Sequence, residues 1–364
     1  MSVSRRVYLH IGAPKTGTTY VQDRLGRNTR SLAAHDVHFP TRSPMVSAGL
    51  FHFRAALDLL GQDWGGPPGH AAGSWDVMAK RVRRRSGTVV ISHEILAPAA
   101  PEAIARAKRD LAGSEIHLVY SARDLARQVP AAWQESIKQG RKWTYGRFLQ
   151  RVESGRSWFA RAFDLPSVLE RWGADLDPAH IHVVTVPPSG APVDQLWLRF
   201  CTALGIDPAW APRDSTRHNQ SLGVAETQVI RKLNRRMDRA TRREASYDEL
   251  IREMLAQNEL VGRVSQPVRL PPTLQPWAEA QAEQWISWIA ERGVHVVGDV
   301  ADLRPAAPSD DAPYVDPDDV SAKQQLRVAM EALSAMTREA ARRPDPDQQL
   351  VRKVRTQASR MRES

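Results

Sequence analysis

Four short runs constrain the fold of this chain more than any other feature. They are "VYLHIG" (7–12), "TVVISHE" (88–94), "EIHLVYSA" (115–122) and "IHVVTV" (181–186). Each is rich in Val and Ile and apolar on both faces. A strand with one face in water alternates apolar and polar residues, whereas a strand covered on both faces does not. Helical patterns lie between the runs. "TTYVQDRLGRN" follows the first, "PEAIARAKRDLAG" opens on Pro-Glu and stops at Gly113, and "APVDQLWLRFCTALG" stops at Gly205. Proline near a helix start and glycine just past its end are the expected punctuation. The alternation predicts an α/β fold, a central parallel sheet flanked by helices, with ligands at the carboxyl ends of the strands.

A chain of 364 residues suits one large α/β domain with appendages. We expect that domain over 1–303, a Pro/Asp-rich linker over 304–318 ("RPAAPSDDAPYVDPD"), and a helical, basic tail over 319–364. Val320, Leu326, Met330, Leu333 and Met336 recur near helical spacing in the tail, which would dock on the core or drive self-association, leaving a homodimer open. The Gly/Pro segment 61–74, "GQDWGGPPGHAAGS", reads as a lid or as a long connection. Trp277, Gln281, Trp285, Trp288 and Ile289 share one helical face, read as core. There is no internal repeat.

No stretch of about 18 apolar residues is present, so no membrane span is expected. The opening "MSVSRRVYLHIG" has too short an apolar run for a secretory signal, which points to the cytoplasm. The single cysteine, Cys201, excludes an intrachain disulfide and a cysteine-based metal cluster, and its apolar surroundings place it in the core. The formal net charge of +10 favours an acidic partner. No zinc finger or RNA-binding aromatic signature accompanies it, so nucleic acid is not expected.

The loop after the first run carries the chemistry. "HIGAPKTGTTY" (10–20) supplies strand, turn and helix start. A helix N-terminus with free amides binds anions such as phosphate. Gly12 and Gly17 let backbone approach a ligand, Thr16, Thr18 and Thr19 add hydroxyls, and Lys15 adds a point charge. The spacing is P-loop-like, yet an NTPase loop has its lysine after the second glycine, where Thr18 stands here. An NTPase also needs Mg²⁺, held partly by an Asp ending another strand. "EIHLVYSARD" has Arg123 at that place, better suited to a second anionic group. A nucleotide kinase or NTPase is therefore the disfavoured alternative.

At this point the chain resembles the superfamily of sulfotransferases that use 3′-phosphoadenosine 5′-phosphosulfate (PAPS), and most of all the sulfotransferase-like proteins of actinobacteria. "PKTGTT" (14–19) fits the family's first signature, and "VYSARDLARQVPAAWQESIKQG" (119–140) its second, a strand leading through arginine into a helix. "IHVVTVPPSG" and "HNQSLG" extend the likeness over roughly 5–300. The resemblance implies that Pro14, Lys15, Thr16, Gly17, Thr18 and Thr19 wrap the 5′-phosphosulfate and that Arg123 holds the 3′-phosphate. Where the family has a serine eight residues after that arginine, this chain has Ala131, and Gln128, Gln134 or Ser136 could replace it. A late basic loop closes over the 3′-phosphate in the family, a role open to Arg213 or Arg217. No metal is required.

Sulfuryl transfer to a hydroxyl or amine needs a base for the acceptor's proton. His93 and Glu94, ending "TVVISHE", are the candidates. Strand alternation would put them on opposite sides, with a slight preference for His93. Asn219 and Ser221 could cap the helix after "RHNQSLG". His10, His35, His38 and His52 read as structural or surface residues, with His70 a weak acceptor-site candidate. The sequence thus reads as a PAPS-dependent sulfotransferase with a carbohydrate, lipid or small-metabolite acceptor, or as a protein that binds the nucleotide without turnover.

Overall fold

A computed structural model describes residues 5–43, 45–217, 221–307 and 314–343. Six strands form one parallel sheet: β1 (Arg6–His10), β2 (Val37–His38), β3 (Thr88–Ser92), β4 (Glu115–Ala122), β5 (Ile181–Thr185) and β6 (His295–Val297). Their order is β2-β3-β1-β4-β5-β6, with every pairing parallel. The predicted α/β class is therefore what the chain adopts. β2 and β6 have two and three residues, too few to announce themselves as patterns.

Both faces of the sheet are covered. Val7, Leu9, Val89, Ile91, Leu118, Tyr120 and Val183 point into one core, shared with Trp75, Trp133 and Trp172. The alternate residues Tyr8, Val90, Val119 and Val184 point into a second core, with Val21, Leu25, Trp197 and Phe200. Burial on both faces is why the strands lack a polar side. Cys201 lies in the second core, where burial pushes its thiol up to about 12 and leaves it inert.

The helices that matter here are α1 (Thr18–Arg27), α2 (Ala48–Leu59), α3 (Ser74–Arg83), α4 (Pro101–Asp110), α5 (Leu125–Lys138), α6 (Tyr145–Glu153), α7 (Leu165–Gly173), α8 (Gln195–Leu204), α9 (Val224–Arg236), α10 (Gln275–Arg292) and α11 (Ala322–Arg342). Gly205 ends α8 in the left-handed conformation, as its sequence suggested. α9 starts on Gly223 with no side-chain cap, so Ser221 does not cap it, and Asn219 lies outside the described residues. In α10 the buried face is Ala278, Ala282, Trp285 and Ile289. Trp285 and Ile289 are core as expected, while Trp277 and Trp288 are half-buried and Gln281 stands at the margin.

The tail helix α11 docks on α9 and on the π-helical segment 248–259. It does so through Val328, Ala332 and Ala335; of the apolar series, Val320 before the helix is buried, while Leu326, Met330 and Leu333 are exposed. The segment before it is anchored too. Asp318 accepts from the backbone N–H groups of Tyr145 and Gly146 at the start of α6, and Pro317 O accepts from Gln228. Residues 308–313 and 344–364 lie outside the described residues. Among the described residues, no helix is long and apolar enough to cross a membrane.

Candidate functional site

β1 is the pivot of the sheet. The chain leaves it to build β2 and β3 on one side, then crosses to build β4, β5 and β6 on the other. The loops after β1, β3 and β4 therefore meet at a topological switch point, where a ligand crevice is expected. These loops carry Gly12–Thr19, His93-Glu94 and Arg123.

The loop after β1 is held from several directions. Ala13 N donates to Ser121 O (2.8 Å), and Thr16 Oγ1 donates to Ala13 O (2.6 Å). Gln128 Nε2 donates to Pro14 O (2.7 Å), and Arg123 Nη1 to Lys15 O (3.0 Å). These bonds impose a conformation the residues would not choose. Lys15 has φ +66°, in the left-handed region, which costs a residue with a side chain about 1–3 kcal/mol. Gly12, at φ +121°, lies against Glu94: a Cβ on it would sit 3.4 Å from the Cα, Cβ and backbone O of Glu94. Gly17, at φ +86°, caps α1 and touches Leu196 at the start of α8, so any side chain there would strike Leu196. The first N–H groups of α1, which have no partner within the helix, thus face the loop.

Below the loop, one imidazole joins three strands. His10 Nδ1 is 2.8 Å from Ser92 Oγ on β3, and Nε2 is 3.0 Å from Ser121 Oγ on β4. Gln22 of α1 donates through Nε2 to Ser92 O (3.1 Å) and Ser92 Oγ (3.2 Å). Burial lowers the His10 pKa to about 4, so the ring is neutral.

Arg123 follows β4 directly. Burial, then the neighbouring Arg127, lowers its pKa to about 10, and it stays cationic at neutral pH. Its Nε is buried with no hydrogen-bond partner among the described residues, a donor that those residues leave unused. Asp124 caps α5 by accepting from Arg127 N (2.9 Å) and pairs with the Arg127 guanidinium. That carboxylate is committed to the helix start.

The ammonium of Lys15 reaches Glu135 of α5 (Nζ to Oε2, 3.1 Å). Lys138 Nζ stands 3.6 Å from the same oxygen, and Arg252 Nη2 3.4 Å from Oε1. Burial pushes the Glu135 carboxyl up, but Lys15, Lys138 and Arg252 outweigh it and hold the pKa far below the usual carboxylate range. Glu135, Lys138 and Arg252 escaped the sequence reading, because nothing in "QESIKQG" distinguishes an interior glutamate from a solvated one.

His93 and Glu94 are not on opposite sides. β3 ends at Ser92, and Glu94 opens a 3₁₀ turn (Glu94–Leu96), so strand alternation does not apply. His93 Nδ1 lies 3.8 Å from Glu94 Oε2 and accepts weakly from Ile95 N (3.3 Å). Burial keeps the His93 imidazole below its ordinary pKa. Burial raises the Glu94 carboxyl, but His93, its own amide and the Thr18 hydroxyl together bring it below the ordinary value. Glu94 Oε2 has no hydrogen-bond donor among the described residues. The segment 61–74 approaches this pair through Phe53, whose ring contacts Trp64 (5.1 Å between centroids), His70 (6.4 Å) and His93 (5.2 Å).

The other expected contacts divide. Gln128 touches the loop, but its side chain meets the backbone oxygen of Pro14. Gln134 Nε2 donates to Leu222 O, and Ser136 Oγ to Trp133 O, so neither stands in for a serine at Ala131. The loop with Arg213 and Arg217 is tied to the far part of α1. Asn28 brackets the Arg213 backbone (2.7 and 2.9 Å), and Asp23 accepts from Ser215 Oγ and Thr216 N. Both arginine side chains are exposed.

No protein-family model and no curated protein matches the chain. Among solved structures it is similar to a sulfotransferase from Alicyclobacillus acidocaldarius, at 12% identity and a TM-score of 0.36, over 65% of this chain and 98% of that one.

Proposed function

We propose that the protein is a sulfotransferase whose donor is 3′-phosphoadenosine 5′-phosphosulfate. One observation carries this reading. At the switch point of a parallel sheet, a strained lysine loop is braced from behind by Arg123, whose buried Nε has no partner among the described residues. The residues fit such a ligand: Pro14, Lys15, Thr16, Gly17, Thr18 and Thr19 would hold its 5′ end, and Arg123 its 3′-phosphate. The donor supplies a sulfuryl group and departs as adenosine 3′,5′-bisphosphate, with new negative charge on its 5′-phosphate. Lys15 and the α1 amides offer fixed positive charge for that oxygen.

For the acceptor's proton, the arrangement favours Glu94 over His93. Nδ1 of His93 faces the Ile95 amide, which leaves the proton on Nε2 in the neutral ring. Glu94 Oε2 has no donor among the described residues, and the backbone and Cβ of Glu94 pack against Gly12 of the loop. An acceptor hydroxyl or amine placed there would pass its proton to Oε2. Trp64, Phe53 and His70 offer an apolar, partly exposed wall for the acceptor. Arg217 would reach the nucleotide only if its loop closes.

Titration calorimetry with adenosine 3′,5′-bisphosphate tests the reading. Saturable binding abolished by Lys15→Ala supports it. No binding, alongside tight Mg-ATP binding, would replace it with a nucleotide kinase or NTPase. Binding without sulfation of any acceptor offered with labelled donor would leave a nucleotide-binding protein without turnover.

A further inference from the structure

At the opposite, amino-terminal edge of the sheet, three side chains from two strand starts converge. Glu115 opens β4, His117 follows two residues later, and His180 immediately precedes β5. His117 Nε2 lies 2.7 Å from Glu115 Oε1, and His180 Nε2 lies 3.8 Å from the same oxygen. One ligand atom from each residue falls within 4.8 Å of the others. Their spacing in sequence hid them, since His180 follows His117 by 63 positions.

We propose that Glu115, His117 and His180 form a binding site for a borderline divalent cation such as Zn²⁺. Two imidazoles and a carboxylate are the donor set such ions prefer. Ligand bonds of 2.0–2.1 Å in a tetrahedral site put donors about 3.3 Å apart. The separations of 2.7 and 3.8 Å bracket that value, so shifts of about half an ångström bring both pairs to it, while the two imidazoles offer ligand atoms within 4.8 Å of each other. Glu115 is exposed and His180 half-exposed, leaving a path for the ion and room for water in the remaining positions.

A second feature supports the assignment. A metal-bound histidine usually gives its other ring N–H to a partner, which fixes its tautomer. Here His117 Nδ1 lies 3.0 Å from His182 Nε2, and His182 Nδ1 lies 2.8 Å from His295 Nδ1 on β6. With His117 Nε2 on the cation, its Nδ1–H donates to His182, which donates in turn to His295. Each ring is then a neutral donor, and the line ends at an exposed residue. Tyr8 stacks on His117 (4.5 Å between centroids) and fixes the ring plane. Arg6, in register with Glu115, is the cation an incoming ion must tolerate. This site is independent of the loop after β1.

The test is Zn²⁺ titration of the full chain against a chelating dye, with Co²⁺ absorption as a second reading. Wild-type protein should take up one Zn²⁺ saturably and gain thermal stability in doing so. Glu115→Gln and His180→Ala should each weaken uptake at least about tenfold, and His182→Gln about 10–100-fold, since partners of a ligating histidine matter nearly as much as ligands. Both Glu115 and His180 lie at the surface, so their loss leaves the fold intact. Unchanged Zn²⁺ affinity and stoichiometry in both of these variants would overturn the proposal. So would wild-type protein that shows no saturable uptake.

Discussion

Lys15 and Glu135 form an ion pair of 3.1 Å between the loop after β1 and a late turn of α5. The lysine proposed to meet the donor thus rests on a carboxylate that two other cations, Lys138 and Arg252, also serve. When Lys15 turns toward a ligand, Glu135 keeps two partners, so the exchange leaves no buried charge alone.

Replacing Glu135 with Gln should therefore have two effects of opposite sign. Removing one carboxylate from among three cations should lower stability by about 2 kcal/mol, less than the 3–5 kcal/mol of a fully buried pair because Lys15 is partly exposed. The same change adds one net positive charge beside the loop, so affinity for adenosine 3′,5′-bisphosphate should rise and its salt dependence steepen. Urea unfolding and calorimetry at two ionic strengths measure both; weaker nucleotide binding would contradict the competition.

Arg123→Lys should behave almost as badly as Arg123→Ala. The guanidinium spends one donor on Lys15 O and keeps others for a ligand, a division a single ammonium cannot reproduce. Nucleotide affinity in both variants decides; near wild-type binding by the lysine variant would show that charge alone suffices.

Gln128→Ala would leave Pro14 O buried without a donor, at a cost of about 1–3 kcal/mol. The loop should lose its shape before the sheet loses its fold. Nucleotide binding should therefore weaken more than thermal stability predicts. Equal binding in the variant would mean the loop needs no brace there.

For the base, Glu94→Gln should remove nearly all sulfation while His93→Gln retains a substantial part. The readout is turnover with labelled donor once an acceptor is found. The reverse order would restore His93.

Acid should unfold the protein earlier than its carboxylates require. Burial lowers the pKa of His10 to about 4 and of His52 to about 3. His52 is locked neutral, with Nε2 facing Pro40 O and Nδ1 accepting from Ser92 N. These histidines take up protons in the unfolded chain below pH 6.5, but in the folded chain only below 3–4. Stability is therefore complete above about pH 6.5 and falls as pH drops toward 4, by on the order of 3 kcal/mol from His10 alone. Urea midpoints from pH 7 to 4 test this, and a flat profile would contradict it.

What could be read in the sequence was local. The four long strands, the loop and Arg123 each owe their character to neighbours within a few residues. β2 and β6 owe their existence to pairing with β3 and β5, which no run of two or three residues can show. In the tail the sequence left docking and self-association open. Close contact with α9 selects the small Ala332 and Ala335 and leaves Leu326, Met330 and Leu333 outside. Glu135 was illegible because its main partner lies 120 residues away in the chain.

The tie beneath the loop is continuous. Gln22 must present its amide N–H₂ to the Ser92 carbonyl, and the same group donates to Ser92 Oγ, which also bonds His10 Nδ1. His10 Nε2 in turn bonds Ser121 Oγ. Four side chains on α1, β3, β1 and β4 thus form one chain of hydrogen bonds. A shift of α1, whose first turn begins inside the loop, would be felt through that chain two strands away, near the end of the strand that delivers Arg123.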